Sequence, residues 1–222
     1  MPDDANHADR VRFLTVAILF QGSLLLFALL AGWLLGQPIW NKLAVSTESI
    51  GLGVIATLPM FLFLVLVYQS SAPQLVQIRQ LLREILGRPL AVCHWPDLCG
   101  LALLAGVSEE FLFRGMLEPW LSGFSPLIGL IVSNLLFGFC HAVTPTYAVL
   151  ASLMGLYLSS TLWWTTEPNL LIPIICHALY DLVAFAVVRR SYSPDDPAFR
   201  RNEPETPSAE HTPSQPIPPA NQ

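Results

Sequence analysis

The chain has 222 residues, 53% apolar and 12% charged, with a formal net charge of −5; an ordinary globular domain carries about 25% charged residues. Mean hydropathy is +0.54, and the few charges fall in clusters between long uncharged runs. Such a composition excludes a disordered chain, a nucleic-acid binder and, with four scattered cysteines, a disulfide-stapled secreted module, which leaves a polytopic membrane protein.

A bilayer core of about 30 Å takes roughly 20 apolar residues per helix. Residues 13–35 meet that length, with Thr15, Gln21 and Ser23 as polar interruptions. The preceding "MPDDANHADRVR" sets three Asp beside two Arg, and the apolar run is too long for a signal peptide. Residues 1–12 therefore read as a cytoplasmic arm before an uncleaved first span. Residues 50–68 form a second span, with Pro59 as a kink site. In "PQLVQIRQLLREILGRP", Leu75, Ile78, Leu82 and Ile85 recur at helical spacing opposite Arg79, Arg83 and Arg88, which predicts an amphipathic helix on the membrane surface. Residues 98–120, 126–143, 147–165 and 170–188 bring the count to about six. The expected fold is an all-α transmembrane bundle over residues 13–190.

Basic residues before span one, between spans two and three, and after span six (Arg189, Arg190) place both termini in the cytoplasm; the other side has only Lys42. Residues 191–222 are rich in Pro, Ser and acidic residues without apolar periodicity and read as a disordered tail. Cys140 and Cys176 directly precede His141 and His177; neighbours on a helix diverge by about 100°, so these thiols read as small apolar residues facing other helices.

Charge at membrane depth is the informative feature. The third span carries Glu109, Glu110 and Arg114, the fourth His141, the sixth His177 and Asp181. A charge at a helix centre costs roughly 2.5–3.5 kcal/mol on insertion scales, so such residues mark functional sites by default. Glu110 and Arg114, four apart, form an ion pair within one helix. Glu109 lies about 140° from Arg114 on the helical wheel and has no partner in its own helix, which suits it to general-base work. Asn134, Phe137 and His141 share one face of the fourth span, His177 and Asp181 one face of the sixth. If these faces converge, the set can activate water and stabilise an oxyanion. It can equally hold a divalent metal of the zinc type through Glu109, His141, His177 and Asp181.

The motifs "EEFLFR" (Glu109 to Arg114), "FGFCH" (Phe137 to His141) and "HALYD" (His177 to Asp181) match EExxxR, FxxxH and HxxxN/D. In order, spacing and membrane context, residues 95–190 resemble the CPBP family of intramembrane proteases, which includes CAAX prenyl endopeptidases and bacteriocin-processing or immunity proteins. The resemblance implies a helical membrane peptidase opening toward the cytoplasm; the short chain with its Pro-rich acidic tail and no organellar presequence reads as bacterial, hence a plasma-membrane protein. Glu109 and His141 would activate water, and His177 and Asp181 would serve the oxyanion. Asp181 stands where the family often has Asn; ionised, it would orient His177 and leave His177 as the oxyanion donor. Glu110, Arg114, Phe137 and Asn134 would support the site. The substrate would be a membrane-associated protein or peptide, prenylated or otherwise lipid-modified substrates included. Whether zinc takes part stays open. The competing functions are an ion or metal transporter with a carboxylate/histidine relay, against which stands the lack of an inverted repeat, and a non-catalytic membrane adaptor or immunity protein.

Overall fold

The computed structural model describes residues 2–193; residues 194–222 of the expected tail lie outside the described residues. Among the described residues the chain is helical without strands. Helix α1 (Pro2–Leu34) is followed by a 3₁₀ turn (Ile39–Lys42), α2 (Thr47–Gln69), α3 (Pro73–Ala91) and α4 (Trp95–Glu110). A π-helical segment (Phe111–Leu117) joins α4 to the short α5 (Glu118–Ser122), and α6 (Pro126–Cys140), α7 (Pro145–Thr161) and α8 (Leu171–Ser191) complete the fold. Stretches 5–34, 47–69 and 171–191 are long and apolar enough to cross a membrane. Of the six expected spans, three are helices of spanning length and α6 is a shorter apolar helix, so a count of six is not confirmed.

The termini of these elements follow from local chemistry. Pro73, Pro96, Pro126 and Pro145 stand in first turns, where a missing N–H costs nothing. The Ser46 and Thr144 hydroxyls accept from the backbone N–H of Ser49 and Tyr147, capping α2 and α7. Helix α1 stops before Gly36, whose φ of +67° is a left-handed conformation that favours glycine.

The structure revises the N-terminal arm and the surface helix. The helix does not begin near residue 13; it runs back to Pro2, and its first turns are tied down by charge. Arg10 grips Asp97 of α4 through two hydrogen bonds of 2.6 Å each, and Arg88 of α3 reaches Asp9 at 3.1 Å. The guanidinium of Arg10 holds the Asp97 carboxyl below its usual range. Helix α3 is amphipathic as expected, but it is docked: Ile78 and Leu90 are buried, and α3 packs against α8. Arg79, expected on the outer side, instead donates to the carbonyls of Val67, Tyr68 and Ser70 at the end of α2.

Helix α8 packs against both α2 and α4, and α6 against α7. At the α4–α8 crossing, a Cβ on Gly106 would stand 3.1 Å from Ala178 Cβ, Ala178 N and the Ile174 carbonyl; small residues permit that approach between membrane helices. The outward faces remain apolar, with Leu19 67% and Trp33 78% exposed, the kind of surface that lipid covers. Gly106→Val drives two methyls into the α8 backbone. It should destabilise the protein by about 1–3 kcal/mol, read as a lowered melting temperature in detergent beside a Gly100→Ala control, whose Cβ meets open space.

Candidate active site

The motif residues come together where α4, the π-helical segment, α6, α7 and α8 meet. At the bottom lies Arg114, 0% exposed, as is Glu110. Its guanidinium donates to Glu110 Oε1 (2.9 Å), Asn134 Oδ1 (3.0 Å), the Gly155 carbonyl (2.6 Å) and Ser159 Oγ (3.3 Å). An arginine keeps its charge in any protein setting, and these four acceptors compensate its burial. The Phe137 ring faces the guanidinium at 4.7 Å, a cation–π contact. Gly155 leaves room for this: a Cβ there would fall 2.6 Å from Asn134 Oδ1 and 3.1 Å from Arg114 Nη2.

Glu110 does more than pair with Arg114. The same Oε1 accepts from His177 Nδ1 at 2.8 Å. His177 Nδ1 is thus oriented by Glu110, while Asp181, to which the family resemblance gave the orienting role, has its Oδ2 3.6 Å from His177 Nε2. Neighbours on α4 thus face the centre from two directions: Glu110 fixes one histidine from below, and Glu109 faces both histidines. Glu109 Oε2 lies 3.6 Å from His141 Nε2 and 3.9 Å from His177 Nε2, and it accepts no hydrogen bond from the protein. The three polar faces converge.

His141 is placed differently from the expectation. Helix α6 ends at Cys140, and His141 is its C-cap, so it stands at a helix end and not inside the helix. Its Nδ1 lies 2.8 Å from the Phe137 carbonyl; a carbonyl only accepts, so Nδ1 carries the proton and a neutral ring presents a lone pair at Nε2 toward Glu109. The Phe137 ring packs on His141 with centroids 4.5 Å apart. Exposure grades outward, from 6% at His177 through 12% at Glu109 and 19% at Asp181 to 30% at His141, so the centre opens at the His141 end. A cleft of about 390 Å³ lined by Leu82, Ile85, Leu86, Cys140 and Tyr147 reaches His141. A second cavity, of about 100 Å³, shares Leu82, Leu86 and Tyr147 and reaches Asp181.

Sequence reasoning missed several participants. Gln21 of α1 donates from Nε2 to Glu109 Oε1 at 3.0 Å, and its Oε1 accepts from Ser108 Oγ at 2.6 Å. Ser159 donates to Glu118 Oε2 at 2.7 Å, which ties a third buried carboxylate to the Arg114 network. The signal for Gln21 was its place as a polar interruption in an apolar span. Glu118 gave none, because ordinary helical geometry turns it about 80° away from Glu110. In the intervening π-helical segment the Glu118 N–H bonds to the Phe113 carbonyl five residues back, which widens the turn and brings Glu110, Arg114 and Glu118 all to the interior.

For a metal, the donor set of Glu109, His141, His177 and Asp181 does not form a cage. Among the described residues no group of three or more His, Cys, Asp or Glu side chains is arranged to hold an ion. Cys176 is buried, with its thiol 3.2 Å from Met60 Sδ, and Cys140 is exposed.

Residues 91–183 match the family model of the Rce1-like type II CAAX prenyl endopeptidases. This stretch carries all three motifs, and the match supports the CPBP/CAAX protease family, a family of intramembrane proteases. The chain is accordingly an integral membrane protein. No curated protein and no solved structure matches it significantly.

Removing one charge from the buried pair leaves the other uncompensated, at about 3–5 kcal/mol. Glu110→Gln should therefore lower yield and melting temperature sharply, whereas Glu109→Gln, which makes no contact with the Arg114 guanidinium, should insert and melt close to the parent. Fluorescence-detected size exclusion with a thermal ramp reads both, and the opposite pattern would reverse the division of labour between the two glutamates.

Proposed function

We propose that the protein is a membrane-embedded endopeptidase that hydrolyses a peptide bond in a membrane-associated protein or peptide, with water activated by Glu109 and His141. The observation that carries this reading is the placement of Glu109 Oε2, free of protein donors, within 4 Å of both histidine Nε2 atoms. A water held there donates one hydrogen to Glu109 and the other to the Nε2 lone pair of His141, which turns its own lone pair toward the substrate carbonyl. As the oxygen attacks the carbonyl carbon, its proton passes to Glu109. His177, protonated at both nitrogens, donates from Nδ1 to Glu110 and offers Nε2–H to the developing oxyanion. The intermediate collapses when the proton acquired by Glu109 moves to the leaving nitrogen, which departs as the amine, and the remaining hydroxyl proton passes to His141 Nε2 as the product acid ionises to carboxylate. Asp181 then acts as a charge partner beside His177 Nε2, a role for which a carboxylate serves in place of the amide often found in the family. No step requires a metal.

The apolar cleft lined by Leu82, Ile85 and Leu86 supports a substrate that approaches from the α3 side with apolar or lipid-modified surface. We further propose that residues 98–120, 126–143 and 147–165 complete six membrane crossings around this centre and that both termini are cytoplasmic, as the bias of basic residues supports.

Purified protein in detergent should cleave members of a fluorogenic library of prenylated and unmodified peptides. Glu109→Ala should lower the rate by at least 10³-fold, in line with the loss of a general base and its positioning, at unchanged yield, and a strong chelator should leave the rate unchanged. Ion flux in proteoliposomes without cleavage would instead assign the centre to a relay.

A further inference from the structure

We infer that Gln21, on the first helix and outside the stretch matched by the protease family, is a positioning residue for Glu109; this rests on the peptidase reading above. Helix α1 is the least buried of the three helices of spanning length. Phe20 and Leu19 beside Gln21 are 63% and 67% exposed, yet Gln21 turns inward to the centre. A primary amide in hydrocarbon is costly unless its donors and acceptor are met, and here both ends are engaged. Nε2 donates to Glu109 Oε1, and Oε1 accepts from Ser108 Oγ.

Two neighbours fix the orientation of the amide. An ionised carboxylate only accepts, so it must meet the NH₂ side of Gln21. The Ser108 hydroxyl then meets the carbonyl side, and the reverse orientation would set two acceptors against each other. With Oε1 held by Gln21, the other oxygen of Glu109 is the one aimed at His141 and His177. The two carboxylate oxygens thereby divide the work, Oε1 as the anchor and Oε2 as the base. Ser23, two positions further along α1, spends its proton on the Phe20 carbonyl of its own helix at 2.8 Å and takes no part.

A hydrogen bond to a charged group is stronger than one between neutral groups, and a misplaced base loses rate more than affinity. Gln21→Leu should therefore lower kcat about tenfold or more with KM within twofold of the parent, while Ser23→Ala leaves both unchanged. Ser108→Ala should lower kcat by a smaller factor and add nothing in the Gln21→Leu background, because the hydroxyl acts through the amide. The carboxylate stretching band of Glu109, isolated by infrared subtraction of Glu109→Gln, should move in Gln21→Leu and in Ser108→Ala but not in Ser23→Ala; this readout is independent of activity. An unmoved band, or full kcat in Gln21→Leu beside an inactive Glu109→Ala, overturns the positioning role and leaves the peptidase reading standing. A moved band in a protein that cleaves nothing sinks the peptidase reading and, with it, the catalytic meaning of the contact.

Discussion

A guanidinium that cannot shed its charge sits at 0% exposure in the middle of this molecule, and the arrangement of the other groups follows from satisfying it. Arg114 has five N–H donors in a fixed fork, and Glu110, Asn134, Gly155 and Ser159, on α4, α6 and α7, accept four hydrogen bonds from it. Water cannot replace a missing partner at that depth, so the helices carrying these acceptors are held in one mutual arrangement. The contact reaches α8 as well, because the Glu110 oxygen that accepts from Arg114 also accepts from His177.

That constraint gives two adjacent glutamates different chemistry. Glu110 is bound to a cation and a ring nitrogen and is thereby part of the scaffold. Glu109, one residue earlier, is turned away from the cation and is held from outside by α1. Its second oxygen is left facing two imidazoles at the open end of the centre. Burial deepens toward Arg114 and lessens toward His141, so the rigid part of the site is also the dry part, and the groups that meet substrate lie where a substrate can arrive. Preorganisation of this kind is what a buried polar network offers an active centre.

Much of this was legible in the sequence, and what was missed has physical causes. Glu109, Glu110, Arg114, His141, His177 and Asp181 stand out because an ionisable residue inside an apolar run is costly to insert and is seldom retained without a function, and helical spacing alone sorted Glu110 onto the Arg114 face. Contacts between helices were not legible. Nothing in the spacing of α8 reveals that His177 is oriented by α4 and not by its own Asp181, nor that Gln21 crosses from α1 to Glu109. The π-helical segment defeated the 3.6-residue ruler at Glu118, and the charged N-terminal stretch read as an arm because its partners, Asp97 and Arg88, lie about 80–90 positions away. Helix existence depended on local pattern and was read well; span count depended on where helices end, and His141 at the end of α6 shows how little that pattern constrains an end.

The role given to Arg114 is open to a direct measurement, the melting temperature and cleavage rate of Arg114→Lys. Lysine keeps the charge but presents a single ammonium with three donors in place of a planar fork, so it cannot meet Glu110, Asn134, Gly155 and Ser159 together. Arg114→Lys should show a marked fall in melting temperature together with loss of cleavage, since His177 loses its fixed partner when Glu110 shifts. A lysine variant that melts and cleaves like the parent would show that charge alone suffices and that the fork does not hold the helices in place.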